Sequence, residues 1–289
     1  SAESITDRAQ TLHAIESEIL QLPGRQREAF LMRPVVLCFS GLDPSGGAGL
    51  QADIEAVAAL GGHAAVVCTA LTVQDSSRVY GFEAVSPALI RQQADAVLAD
   101  LPVGAIKLGM LGSGAIATLV GDILSAHPHI PVVLDPVLAA NSGGSLAGDD
   151  LAQGLLRLFP RATIITPNSL EARRLAERED LPGAVDRLHQ LGADLVLLKG
   201  GHEAGDVIIN TLHGKSGRLA ESRTPRLAGE FHGSGCTLAS AVAVGLAMRL
   251  TPVEAVRRAE DFVAGALARA DRPRDAGQFL PLRVMPCPR

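Results

Sequence analysis

Short, unbroken apolar runs recur along residues 35–198, each separated from the next by enough chain for one helix. The clearest is Val35-Val36-Leu37-Cys38-Phe39, closed by Gly41. A strand that is apolar on both alternating faces needs cover on both sides, which is the condition of a parallel sheet between helices. Further strands are predicted at Ala64–Leu71, Ala105–Leu108, Pro131–Leu134, Thr163–Ile165 and Asp194–Leu198. A short alternating edge strand is predicted at Tyr80–Val85, and two β-like runs at 206–212 and 218–224. Helices are predicted at Gly49–Leu60, Pro87–Leu101, 114–125, 234–250 and 252–270. This alternation means βαβ units, and so an α/β fold with a mainly parallel sheet and helices on both faces.

The remaining segments stand apart from that pattern. Residues 1–31 are polar and charged, with Leu12, Ile15, Ile19 and Leu22 at helical spacing and Pro23-Gly24 as a stop. They are read as an N-terminal extension with one helix. Residues 32–270 form the globular domain. The tail 271–289 carries four prolines and is expected to be loose or laid on the surface.

Composition excludes several classes. Apolar residues make up 47% and charged residues 20%, enough for a large core. A net charge of −5, with 3% aromatics and no Trp, leaves neither a basic footprint nor a base-stacking platform, so no nucleic-acid partner is expected. The four cysteines include no C-x-x-C pair, and Cys38 and Cys68 lie in apolar runs. That pattern reads as thiols in a reducing compartment, not a disulfide scaffold or zinc site. No apolar run is long enough for a membrane span and no signal peptide is read, so no membrane partner and a cytoplasmic location are expected.

In an open α/β sheet, ligands sit beyond the carboxyl ends of the strands. The first strand ends in Ser40-Gly41-Leu42-Asp43-Pro44-Ser45-Gly46-Gly47-Ala48-Gly49, with four glycines in nine residues from 41 to 49. It matches neither G-x-G-x-x-G nor the P-loop pattern, so it reads as a ligand loop of another kind or as a tight turn. A second cluster, His232-Gly233-Ser234-Gly235-Cys236-Thr237, precedes an apolar helix. Free amides and the helix dipole at such a point bind anions and are expected to lower the pKa of a thiol there. Cys236 is thus a candidate base, with Gly233, Ser234 and Gly235 stabilising a transferring phosphoryl group; a glycine-rich cap over a small buried thiol is the plainer alternative. Asp135, Asn168 and Glu171, also at strand ends, could organise Mg²⁺, and Lys199 could hold a phosphate as a point charge. The histidines at 63, 202 and 213 read as turn or strand-end residues.

Taken in order, SGLDPSGGAGLQADIEAVAALGGHAAVVCTALTVQDS, KLGML, VVLDPVLAANSG, ITPNSLEA, LLKGGH and HGSGCTLASA resemble the hydroxymethylpyrimidine/phosphomethylpyrimidine kinases of thiamine biosynthesis, in the ribokinase-like superfamily. The likeness spans about 35–250. It implies a three-layer α/β/α sandwich and transfer of the ATP γ-phosphoryl group to the pyrimidine hydroxymethyl group, then to the resulting monophosphate. Carried over by motif, Asp53 and Gln74 would hydrogen-bond the aminopyrimidine, while Gly41, Ala48, Met110 and Val137 line its pocket. Cys236 would be the base, Asp135 and Glu171 would serve Mg²⁺, and Asn168 and Lys199 the nucleotide. A homodimer is also expected. Ser234 stands where Thr is commoner, Gln74-Asp75 where Gln-Asn is usual, and His213–Glu230 is longer than in the family. Two other readings stay open: a pyridoxal kinase of the cysteine-containing type, and a non-catalytic pyrimidine or nucleotide sensor.

Overall fold

The computed structural model describes residues 33–138, 149–272 and 277–284. The helix expected in the N-terminal extension and the AANSG run after Leu138 lie outside them. The first strand, β1 (Val35–Leu42), is buried over its first seven residues. It pairs in parallel with β2 (His63–Gln74) on one side and β4 (Val103–Leu108) on the other. The parallel run continues through β5 (Val132–Leu134), β6 (Ile164–Ile165) and β7 (Leu195–Leu198). Antiparallel strands finish both edges: β3 (Val79–Ala84) pairs with β2, and β8 (Val207–Gly214) and β9 (Gly217–Pro225) follow β7. The order is β3-β2-β1-β4-β5-β6-β7-β8-β9.

Alternation along β1 splits the core in two. Leu37 and Phe39 join Ile106, Leu108 and Leu134 in one cluster, whereas Val36 and Cys38 join Ala105, Val133, Ile164 and Leu197 in another. The first cluster is covered by α2 (Pro87–Asp100), α3 (Gly114–Ala126), α4 (Asp149–Leu158), α5 (Ser169–Ala176) and α6 (Leu181–Gln190). The second is covered by α1 (Gly49–Ala59), α7 (Ser234–Ala247) and α8 (Pro252–Ala268). This is the three-layer α/β/α arrangement the continuous apolar strands require. Among the described residues, no helix is long and apolar enough to cross a membrane.

Helices α4, α5 and α6 were not among the predicted elements. The start of α5 is a capping box: the Asn168 side chain accepts from the Leu170 and Glu171 amides, and Glu171 Oε2 accepts the Asn168 amide at 2.8 Å. The N-x-x-E spacing read as a magnesium motif is therefore also a helix start. The tail departs from expectation as well. Residues 279–282 are hydrogen-bonded into the fold and Arg283 is 3% exposed, so this stretch is not loose; it lies along the surface with Leu282 and Val284 exposed and Arg283 turned inward.

Candidate active site

A cavity of about 250 Å³ runs across the carboxyl ends of the strands. Its lining follows the sheet order. Gly41, Gln74, Met110 and Val137 stand at the β1, β2, β4 and β5 ends; Asp135, Asn168, Glu171 and Lys199 come from β5 through β7; Ile208, Asn210 and Thr224 come from β8 and β9. Ala48 and the first residues of α7, Gly233 to Cys236, complete it.

Two glycine-rich turns shape the centre. Gly49 has φ +56°, and a Cβ there would collide with the Gly41 carbonyl oxygen. Gly233 has φ +76° and would collide in the same way with the Gly47 carbonyl. The two loops thus touch backbone to backbone, which only glycine allows. Gly49→Ala is expected to cost about 1–3 kcal/mol, read as a lowered denaturant midpoint, because left-handed backbone and a backbone collision are imposed together. Asp43 ties the same loops: its carboxylate accepts the Ser45 and Ala48 amides, each at 2.8 Å, and His232 Nε2 lies 2.7 Å from Oδ2. Although burial works the other way, His232 and Ser45 together hold the Asp43 carboxyl below its ordinary pKa.

Helix α7 starts without a side-chain cap, so the amides of Ser234, Gly235 and Cys236 are left for a ligand in the cavity they line. Lys199 stands beside them: a Cβ on Gly235 would lie 3.2 Å from its Nζ. Lys199 pairs with Asp135 at 2.7 Å, and Thr166 donates to the same Asp135 oxygen at 3.1 Å. Burial opposes the Lys199 ammonium, yet Asp135 and Glu171 outweigh it and raise its pKa. Burial lifts the Glu171 carboxyl to about 7, with Lys199 opposing and Asp135 adding.

Two expectations are corrected here. Asp53 does not line the cavity. It is wholly buried, 2.8 Å from the Lys107 ammonium, and takes a 2.7 Å hydrogen bond from Ser240. Both its oxygens are engaged inside the core, and neither faces the cavity where a pyrimidine ring would lie. Cys236 does line the cavity, but its thiol pKa is raised, not lowered. Burial is the largest cause; Asp53 and Asp135 add to it, while Lys107 and a hydrogen bond with the Gly49 backbone oppose it. Burial outweighs the groups that lower it.

The other candidates come together as lining residues: Gly41, Ala48, Gln74, Met110, Val137, Asp135, Asn168, Glu171, Lys199 and Gly233 to Cys236. Met110 packs against Ala70, with Val79 and Val137 beside it, as a small apolar cluster. Sequence reasoning missed the opposite end. There Ile208, Val263, Ala264 and Leu267 form an apolar wall, with His202 on the rim. Asn210 holds both the Gly200 amide at 3.0 Å and Glu260 at 3.0 Å. The signal for this end was only the alternation of the late strands, which names a strand and not a wall. Among the described residues, no group of three or more His, Cys, Asp and Glu could hold a metal ion. Asp135 and Glu171 nonetheless give two carboxylates facing one cavity, a donor set suited to magnesium that also takes phosphate oxygens.

Comparison with known proteins places the chain in a family. The family model described as phosphomethylpyrimidine kinase matches residues 43–279. The thiamine biosynthesis bifunctional protein of Geobacter sulfurreducens is 41% identical over 249 residues, 83% of this chain and 50% of that one. The hydroxymethylpyrimidine/phosphomethylpyrimidine kinase of Streptomyces coelicolor is 39% identical over 241 residues, 81% of this chain and 88% of that one. The chain therefore spans half the length of the first relative and nearly all of the second. A solved structure of the pyridoxal kinase from Staphylococcus aureus, with AMP-PCP and pyridoxal, superposes with a TM-score of 0.76 at 29% identity, covering 84% of this chain and 91% of that one.

Proposed function

The chain belongs to the phosphomethylpyrimidine kinase family, and from that premise we propose that it phosphorylates 4-amino-5-hydroxymethyl-2-methylpyrimidine with ATP, and then phosphorylates the monophosphate to the diphosphate. The observation that carries this is the cavity itself. A pocket with one amide, one thioether and small walls (Gln74, Met110, Val137) meets an uncapped helix start and a lysine on the way to an apolar slot. Gln74 offers donor and acceptor to the ring edge, and Met110 and Val137 its apolar walls. The amides of Ser234 to Cys236 and the Lys199 ammonium stabilise charge on the moving phosphoryl group. In the first transfer the acceptor O–H breaks, the O–P bond forms and ADP leaves with the bonding pair. The proton passes to the Cys236 thiolate, a minority form at neutral pH because burial raises that thiol. Magnesium would be held by Asp135 and Glu171, and would neutralise phosphate charge; Asn168 caps the helix that presents Glu171. The slot of Ile208, Val263, Ala264 and Leu267 receives the adenine.

The protein is further proposed to act in the cytoplasm as a homodimer; the exposed apolar residues Leu71, Val73, Tyr80 and Phe82 on the β2–β3 edge support the pairing. The pyridoxal reading draws on fold likeness at 29% identity, against 39–41% for the pyrimidine-pathway relatives. Phosphorus NMR with Mg-ATP and the hydroxymethylpyrimidine is expected to show a monoester followed by a diphosphate. Signal only in a parallel tube with pyridoxal would overturn the substrate, and tight binding with no ADP formed would favour a sensor.

A further inference from the structure

The C-terminal segment enters the site from behind. The Phe279 amide donates to the Glu230 carbonyl at 2.8 Å, and the His232 amide donates to the Phe279 carbonyl at 2.9 Å. Asp271 and Leu280 exchange a backbone pair, and the Leu282 amide reaches the Ala266 carbonyl at 3.1 Å. The chain is thereby laid between the turn before α7 and the end of α8. Its next residue is Arg283, which is 3% exposed. All three nitrogens of its guanidinium are engaged. Nε donates to Thr237 Oγ1 at 2.7 Å, Nη1 to Glu55 Oε2 at 3.0 Å, and Nη2 to the Gly47 carbonyl.

Those acceptors belong to different parts of the site. Gly47 immediately precedes Ala48 and Gly49, which line the cavity. Thr237 follows Cys236 in the first turn of α7, and its hydroxyl is bonded back to the Gly233 carbonyl at 2.8 Å. Glu55 lies in α1, which the first loop opens. The planar fork of a guanidinium fixes these directions relative to one another, as a flexible ammonium would not. Replacing a buried ion pair by apolar side chains of similar size is often neutral or stabilising, so the burial of this charge is weak evidence of a purely stabilising role.

We propose that Arg283 is a positioning residue: it clamps the Gly-rich substrate loop to the start of α7 and so sets Cys236 and the α7 amides against the acceptor hydroxyl. This rests on the kinase reading above. Small displacements of such groups are costly in rate, of the order of 100-fold for about 1 Å.

The test uses the full chain with Arg283→Lys and Arg283→Met. Lysine keeps the charge but cannot reach all three acceptors. Hydrogen exchange is followed at the hydrogen-bonded amides of Gly46, Gly47, Ala48 and Thr237, with 106–108 in β4 as reference. The expected result in both variants is exchange at least about tenfold faster in the two loops, with β4 unchanged. The first-transfer kcat is expected to fall by about tenfold or more, while KM for ATP stays within about twofold. If Arg283→Met does not fold, Arg283→Lys decides alone. Loop exchange at the wild-type rate, or exchange raised equally in β4, would overturn the clamp; so would an unchanged kcat in a protein whose wild type is active. A wild type that transfers no phosphate to the pyrimidine sinks the kinase reading, and the exchange comparison still decides the clamp.

Discussion

Cys236→Ala is expected to lower kcat/KM of the first phosphoryl transfer by about 100-fold or more, the usual reach of a positioned base. The second transfer is expected to lose less than about tenfold, since its acceptor is already an anionic phosphate and has no tightly held proton to give up. In the proposed reaction the two acceptors share one cavity and the same α7 amides, so a merely structural cysteine would slow both alike. The pH dependence gives an independent reading. Burial holds the Cys236 thiol above its ordinary value of 9.0, so the thiolate fraction grows as pH rises through and beyond that value. The first transfer of the wild type should therefore climb with pH, and the climb should vanish in Cys236→Ala. Stepwise rates from phosphorus NMR or a coupled ADP assay, taken across the alkaline range, check both statements. Equal loss of the two steps would sink the division of roles.

What could be read from the chain was what depends on neighbours in sequence. The Val35–Phe39 run of β1 is apolar at every position, so its burial on both faces followed directly. The loop at Gly41–Gly49 and the start of α7 announced themselves by glycines next to helix starts, and both line the cavity. What escaped depends on partners far along the chain. Asp53 looks available beside a ligand loop until Lys107 is seen 54 residues later, placed by β4 against it. Arg283 sits in a proline-rich tail, and its partners Gly47 and Glu55 lie more than two hundred residues earlier. The thiol of Cys236 was misjudged for a related reason. Its helix terminus is local and visible, whereas the burial that raises the thiol comes from the whole fold. The α5 cap shows the opposite limit, because Asn168 and Glu171 are a legible motif with two meanings that sequence alone cannot separate.

The buried Asp53–Lys107 pair is expected to give the second large effect. Asp53 and Lys107 are wholly buried, with Ser240 bonded to one carboxylate oxygen and Lys107 3.5 Å from Ser40 Oγ. Removing one charge leaves the other uncompensated in the interior, at a cost of about 3–5 kcal/mol. In a domain of this size that lowers Tm by roughly 6–20 °C. Asp53→Leu is thus expected to melt far below wild type. Because the penalty is an orphaned ammonium and not a lost attraction, Asp53→Leu combined with Lys107→Met should regain most of it. The balance is also fixed in pH. Burial opposes the Lys107 ammonium, but Asp53 outweighs it and keeps it above the ordinary 10.5, so the ammonium's own titration removes none of its contribution below that pH and the loss comes only as pH climbs past it. The double variant further separates the pair's structural role from its influence on the site. Lys107 lowers the Cys236 thiol more than Asp53 raises it, so losing both should push that thiol still higher. The double variant is then expected to be nearly as stable as wild type, with its first-transfer profile displaced to more alkaline pH and its second transfer unmoved. A single variant melting within about 2 °C of wild type, a shift worth at most about 1 kcal/mol, would show instead that water reaches the pair and that its burial does not hold in solution.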